Sequence, residues 1–170
     1  MKRAHYLALS AIVIIADLIS KALVSRYVEM HDAITIIPNF FQIVHVRNTG
    51  AAFGIGANAS SRIVPLLLNF GALAVFGVVV VYAVRSAVTD RLLQVGLHLI
   101  LGGAIGNLVD RFRFGYVVDF LRFYVTIGGR EHEWPSFNVA DSAICIGIAL
   151  LFLDMRRKPE ETEATVIPSV

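Results

Sequence analysis

The chain has 170 residues, 56% of them hydrophobic and 16% charged, and its mean hydropathy is +0.70. Soluble domains carry about 25% charged residues, so this composition indicates a membrane protein of one domain. The net charge of +2 is too small to indicate nucleic-acid binding, and no basic aromatic patch appears, so we expect no nucleic-acid partner. Cys145 is the single cysteine, which excludes an intrachain disulfide.

The first predicted element is a transmembrane helix over the apolar run from Tyr6 to Val24, which follows Lys2 and Arg3. The run is longer than the core of a cleaved signal peptide and has no small-x-small cleavage site. It contains Asp17 and Lys21, which stand four residues apart and therefore share one helix face. We expect these two side chains to form a structural ion pair within the membrane.

A mixed region follows from residue 28 to residue 62. Residues 33–37 and 41–46 are rich in β-formers and are separated by Pro38 and Asn39. Neither segment is long enough to span a bilayer as a helix, so a small sheet or hairpin at the membrane surface is predicted. The small residues that follow, from Asn48 to Gly54, predict a tight backbone feature.

Three further spans are predicted. Residues 63–84 contain no charge, and 22 residues of helix reach about 33 Å, enough to cross the hydrocarbon core. Residues 92–109 form the next uncharged run and contain a G-x-x-x-G spacing that favours close helix contact. The fourth span runs from about Asn138 to Leu153. We therefore expect one membrane domain over residues 1–155 and a disordered cytoplasmic tail over residues 156–170.

Four spans place both termini on one side of the membrane and the segments 28–62 and 110–137 on the other. Lysine and arginine are equally numerous on the two sides, but they are denser at the termini and in the loop at 85–91. The density favours cytoplasmic termini and an external location for the two long segments.

Two carboxylates bracket the stretch from residue 115 to residue 142, where Asp119 and Asp141 each adjoin apolar sequence. Facing carboxylates can share a proton and perform acid–base chemistry. The spacing alone also allows two charges that merely anchor helices at the interface. Asp110 and Arg111 could likewise be functional residues or charges that mark a helix end at the interface.

Other chemistries are less well supported by the sequence. The histidines lack metal-ligand spacing such as H-E-x-x-H, and His98 is expected to be a satisfied residue of the helix bundle. A serine nucleophile at Ser142 with Lys21 as its base would need the lysine within hydrogen-bond reach of the serine. Lys21 is instead expected beside Asp17. Cys145 is expected in the core. A non-enzymatic alternative is a carrier or assembly subunit that uses the aspartates for protons or cations.

Five sequence blocks, in order, together resemble bacterial lipoprotein signal peptidase (signal peptidase II). The blocks are D-L-I-S-K at 17–21, R-N-T-G-A-A-F at 47–53, G-G-A-I-G-N-L-V-D-R at 102–111, G-Y-V-V-D-F at 115–120 and F-N-V-A-D-S at 137–142. The resemblance covers about residues 6–155 and implies an all-α integral membrane fold, with four transmembrane helices and a small extracytoplasmic β-cradle. It also implies that Asp119 and Asp141 are the catalytic aspartates.

The resemblance further implies an intramembrane aspartic endopeptidase that cuts prolipoproteins just before the diacylglyceryl-modified cysteine. Its partners would be these precursors and membrane lipid, with no cofactor, and we expect a monomer in the bacterial inner membrane. Several residues that the topology brings to the same external face are expected to bind substrate: Asn48, Gly50, Asn107, Arg111 and Asn138.

Overall fold

A computed structural model describes residues 2–49 and 63–157. This part of the chain forms helices and a small antiparallel sheet. The helices are α1 (Arg3–Tyr27), α2 (Ile63–Arg85), α3 (Arg91–Phe114) and α4 (Val139–Arg157), and the strands are β1 (Ala33–Ile37), β2 (Phe41–Asn48), β3 (Val117–Ile127) and β4 (Arg130–Glu133).

Helix α3 is the centre of the helical layer, because it packs against α1, α2 and α4. Small residues make these contacts possible. A Cβ atom added at Gly102 would lie 2.8 Å from Cβ of Val13, and one added at Gly106 would lie 2.5 Å from Oδ2 of Asp17. The α1 and α3 backbones therefore approach closely on the face that carries Asp17.

By length and composition, two helices of the described residues could cross a membrane. These are α1, with a mean hydropathy of 2.2, and α3, with a mean hydropathy of 1.7. Helix α2 covers the second predicted span, and α4 covers the fourth but extends through Arg157, two residues into the expected tail. Residues 158–170 lie outside the described part of the chain.

The sheet is larger than the sequence predicted. Its four strands are antiparallel in the order β1-β2-β3-β4, whereas the sequence indicated strands only at 33–37 and 41–46. Strands β3 and β4 form a hairpin around Gly128 and Gly129, whose φ angles are +58° and +75°. Two glycines with positive φ fit the tight turns that join antiparallel strands.

The sheet is fixed to the helices by a small apolar core at one end of the bundle. Val24 and Val28, at the end of α1, pack with Val118 and Phe120 of β3. Gly115, with φ of +78°, ends α3 and allows the chain to turn directly into β3. Strand β3 therefore lies against the ends of both α1 and α3.

The prediction that Cys145 lies in the core is wrong. Its side chain is exposed on the outer surface of α4, next to the exposed Ile146. Several apolar side chains of α4 are exposed, so hydrophobicity alone does not distinguish the inward from the outward positions of this helix.

Candidate active site

The fold brings the two candidate catalytic carboxylates to one place. Asp119 lies on β3 and is 3% exposed, while Asp141 lies in the first turn of α4. The main chain joins their segments, since Leu121 donates to the carbonyl of Phe137 at 2.8 Å and Phe137 donates back to Leu121 at 3.1 Å. This bridge aligns β3 with the start of α4.

Asn138 connects the two carboxylates. Its side-chain Nδ2 donates to Oδ1 of Asp119 at 2.8 Å, and its backbone N–H donates to Oδ2 of Asp141 at 3.2 Å. The backbone N–H of Asp141 donates in return to Oδ1 of Asn138 at 2.9 Å. This reciprocal pair is a capping box, which starts α4 at Val139 and fixes the direction of the Asp141 side chain.

Two more asparagine amides bind the same carboxylates. Asn48, at the end of β2, donates to Oδ2 of Asp119 at 2.9 Å. Asn107 of α3 donates to Oδ1 of Asp141 at 2.7 Å. Each carboxylate therefore accepts hydrogen bonds on both oxygens, from groups on different elements of the fold. Hydrogen bonds on both oxygens restrict the rotation of each carboxylate.

The pKa of Asp119 is raised from its ordinary value of 3.8 to about 7. Burial is the largest cause, because it disfavours the charged form, and the negative charge of Asp141 raises the pKa further. The hydrogen bonds from Asn48 and Asn138 oppose the rise because they stabilise the carboxylate form. Near neutral pH, Asp119 can therefore either hold or release a proton.

The predicted ion pair between Asp17 and Lys21 is confirmed, with Nζ of Lys21 2.7 Å from Oδ2 of Asp17. The sequence did not predict that Lys21 reaches further. Its Nζ also lies 3.2 Å from Oδ2 of Asp110 and donates to Oδ1 of Asn107 at 2.9 Å. The only sequence feature that could have indicated these wider contacts is the presence of a lysine within an apolar helix.

Asp17 and Asp110 each bind a backbone N–H beside the candidate catalytic residues. Oδ1 of Asp17 accepts from Ala140 at 2.9 Å, and Oδ2 of Asp110 accepts from Val118 at 3.1 Å. Ala140 precedes Asp141 and Val118 precedes Asp119. The buried ion-pair cluster therefore fixes the backbone next to both carboxylates.

Cavities open on both sides of the carboxylate pair. One, of about 590 Å³, lies on the sheet and is lined by Asp119 and Asn48 together with Arg47 and Arg122. The other, of about 320 Å³, is a mainly apolar groove between α2, α3 and α4, and Asp141 lies in its wall. The pair therefore stands between a polar cavity and an apolar one.

The remaining predicted residues have different surroundings. Arg111, in the last turns of α3, lines the apolar groove with Asn107. Asn138 is fully buried, so in this conformation its amide reaches the carboxylates directly. Gly50 lies outside the described residues. Among residues 2–49 and 63–157, no group of three His, Cys, Asp or Glu side chains is arranged to hold a metal ion.

Comparison with known proteins gives the family. The sequence profile described as Signal peptidase (SPase) II matches residues 9–157. The chain belongs to the signal peptidase II family. A lipoprotein signal peptidase of Syntrophotalea carbinolica is 42% identical, over 90% of this chain and 93% of that protein. One of Desulforapulum autotrophicum is 45% identical over 83% and 85% of the two chains.

The fold is similar to that of solved membrane enzymes. A bacterial membrane enzyme determined by the in meso method at 1.9 Å resolution has a TM-score of 0.76 and 29% identity, with 92% of this chain and 95% of that chain covered. Membership in a family of signal peptidases makes the chain a membrane protease of lipoprotein processing. The non-enzymatic carrier considered from the sequence is therefore not supported.

Proposed function

We propose that this protein is an aspartic endopeptidase that removes the signal peptide from lipid-modified prolipoproteins, cutting just before the diacylglyceryl cysteine. The observation that carries the proposal is the network in which Asn48, Asn107 and Asn138 hold Asp119 and Asp141 by both oxygens. Acid–base catalysis needs one proton donor and one acceptor in fixed positions, and this arrangement supplies two restrained carboxyl groups.

The two carboxyl groups have different roles in the proposed reaction. Asp119, whose pKa is raised to about 7, is the protonated member and donates to the carbonyl oxygen of the scissile bond. Asp141 accepts a proton from a water molecule, whose oxygen attacks the carbonyl carbon. The tetrahedral intermediate then collapses, and the amino group of the cysteine leaves with a proton returned by the pair.

The two cavities give the substrate a direction. The apolar groove between α2, α3 and α4 suits the hydrophobic signal segment and the acyl chains, and Asp141 lies in its wall. The polar cavity on the sheet suits the peptide that follows the modified cysteine. Arg111 lines the groove near Asp141, and we expect it to bind the substrate main chain. Asn107 lines the groove as well, but its amide donates to Asp141, so we expect it mainly to position that carboxylate. Asn48 and Asn138 act mainly by positioning Asp119.

The proposed membrane arrangement rests on the density of lysine and arginine near the termini and is compatible with this geometry. We propose that α1 to α4 all span the inner membrane, with cytoplasmic termini and with the sheet at the external surface. The catalytic pair then lies near that surface, where water can reach a scissile bond held by a membrane-embedded substrate. Residues 1–155 would form one monomeric peptidase domain, followed by a cytoplasmic tail.

Purified full-length protein and a diacylglyceryl-modified precursor test the catalytic assignment. Asp119→Asn and Asp141→Asn are each expected to abolish cleavage, since each removes one half of the proton transfer. Ser142→Ala and Cys145→Ala are the controls and are expected to retain substantial activity, as is the wild type treated with a chelator. Cleavage that survives either Asn substitution, or a covalent acyl-enzyme on Ser142 or Cys145, would refute the aspartic mechanism.

The substrate assignment has its own test. The same precursor with an unmodified cysteine should be cleaved far more slowly in the same detergent, because the acyl chains supply binding energy that orients the scissile bond. Equal rates on the two precursors would show that the lipid is not recognised, even if the aspartic mechanism holds.

A further inference from the structure

A second apolar cavity begins at the end of the helices opposite the catalytic pair and extends to their middle. It has a volume of about 340 Å³ and lies between the first half of α1, the second half of α2 and residues 94–105 of α3. Its apolar wall includes Leu7, Phe76, Val80 and Ile105. The active-site groove lies on the other side of α2, and Phe76 and Leu101 line both cavities.

The cavity exists because α2 is held on one side only. Within the described residues, the backbone of α2 lies close only to that of α3, and α1 reaches α2 through the long side chain of Arg3. The gap that remains between α1 and α2 is bordered by exposed apolar side chains, with Leu7 63% exposed and Val84 57% exposed. In a membrane such a surface faces lipid tails, and its volume falls within the range of small-ligand sites, about 300–1,000 Å³.

Basic residues outnumber acidic ones at the end of the cavity, where the nearby described carboxylates are those of Asp90 and Asp154. Arg3 lies in its wall and donates from Nη2 to the carbonyl of Val84 at 2.9 Å, which holds the guanidinium over the end of α2. Lys2, Arg85 and Arg91 are also exposed at this end of the helices. Arg3 forms no ion pair in the described part of the chain, so most of its N–H donors remain for a ligand.

Polar groups also line the cavity between the basic end and the apolar wall. The ring Nδ1 of His98 donates to the carbonyl of Gln94 at 2.9 Å, and Nε2 takes no part in that bond. Ser10 uses its hydroxyl on the carbonyl of His98. A ligand that fits this order would have an anionic group at Arg3, polar atoms below it and an apolar chain deeper in the cavity.

We propose that this cavity binds one anionic phospholipid of the leaflet on the side of the chain termini. Its phosphate would pair with Arg3, and one acyl chain would lie along Leu7, Val80 and Phe76 and fill the gap beside α2. Basic pockets between membrane helices are typical sites for anionic headgroups on the cytoplasmic side. A signal peptide fits poorly here because it begins with basic residues, which Arg3 and its neighbours would repel.

Native mass spectrometry of the full-length protein in detergent tests the proposal. The probe is an equimolar mixture of phosphatidylglycerol and phosphatidylcholine with identical acyl chains. We expect one phosphatidylglycerol molecule to be retained about five-fold or more in preference to phosphatidylcholine. Arg3→Gln should reduce this preference to about one, whereas Arg3→Lys should preserve it because the positive charge remains.

Two further variants separate the headgroup from the chain. Val80→Phe fills the cavity with an apolar group and should reduce the retention of both lipids. Arg156→Gln removes an exposed cation from α4 at the same end, away from the cavity, and should leave the preference unchanged. Equal retention of the two lipids by the wild type would overturn the proposal. So would an unchanged preference in Arg3→Gln, equal binding of inorganic phosphate, or displacement of the lipid by a basic signal peptide.

Discussion

Replacing Asp119 with asparagine should inactivate the enzyme and at the same time stabilise it at alkaline pH. The folded protein raises the pKa of this carboxyl from 3.8 to about 7, mainly by burial. The ionised form is therefore less favourable in the folded state than in the unfolded state. The free energy of unfolding of the wild type falls as the pH rises between these two values, and the loss is complete above about pH 7.

The size of the effect follows from the shift. A rise of about three pH units corresponds to about 4 kcal/mol, because each unit is worth about 1.4 kcal/mol. Asparagine stays neutral at every pH and avoids this cost. Its amide replaces one acceptor oxygen that faces Asn48 or Asn138, but a protonated carboxyl has the same defect. The two proteins should therefore be similarly stable near pH 4 and should diverge as the pH increases.

Thermal unfolding of the purified protein in detergent measures the difference between pH 4 and pH 8. The midpoint of Asp119→Asn should exceed that of the wild type at pH 8, and the gap should close towards pH 4. Asp32→Asn, at an exposed position before β1, is the control and should show no such divergence. A wild type that is more stable than Asp119→Asn at pH 8 would refute the argument that burial of Asp119 is costly.

Three further predictions concern the groups around the pair. Asn48→Ala removes a hydrogen bond that stabilises ionised Asp119 and should therefore raise its pKa. The alkaline pH at which kcat/KM falls should increase by about one to two pH units, and a decrease would contradict the argument. Gly106→Ala places a Cβ 2.5 Å from a carboxylate oxygen of α1 and should lower stability by about 1–3 kcal/mol, whereas Gly77→Ala meets no atom within 4 Å and should not. Lys21→Met leaves two buried carboxylates without their cation and should cost about 3–5 kcal/mol in chemical unfolding, so unchanged unfolding would be inconsistent with the observed ion pairs.

The helices were predictable from the sequence because their signal is long and local. Uncharged or nearly uncharged runs located α1, α2 and α3 to within a few residues at most boundaries. The prediction for α4 began correctly near Asn138 but stopped early. The charged residues at 154 and 156–158 suggested an end, but charged side chains also fit a helix that continues in contact with water.

Strand β3 was missed although its composition is typical of a strand. Residues 117–127 are rich in β-branched and aromatic side chains and lead into Gly128-Gly129, a recognised hairpin signal. The charged residues around Arg122 made the segment resemble a polar loop. In the fold Arg122 lies between Glu131 and Glu133 of β4, and cross-strand pairing compensates these charges.

The candidate residues were predictable, but their connections were not. Sequence blocks identified Asp119, Asp141 and the three asparagines, and the topology placed them on one face. The bond between Asn138 and Asp141 follows the three-residue spacing of a capping box, but no local pattern could show that Asn138 also binds Asp119, because that contact requires β3 to pair with the segment before α4. Side-chain networks between distant elements depend on the tertiary fold and are not encoded at fixed sequence spacing.

The choice of neutral amides around the pair has a chemical reason. An arginine or lysine in direct contact would hold the pKa of Asp119 low and would leave no proton to donate. Asparagine also orients a carboxylate, but it stabilises the negative charge less than a cation does. The effect of burial therefore exceeds that of the asparagine hydrogen bonds, and the pKa of Asp119 is raised to about 7. Lys21 instead contacts the carbonyl oxygen of Asn107, which forces the amide nitrogen of that residue towards Asp141. The cation thus orients the site through a neutral group, and its own effect on the pKa of Asp119 is the smallest of the causes.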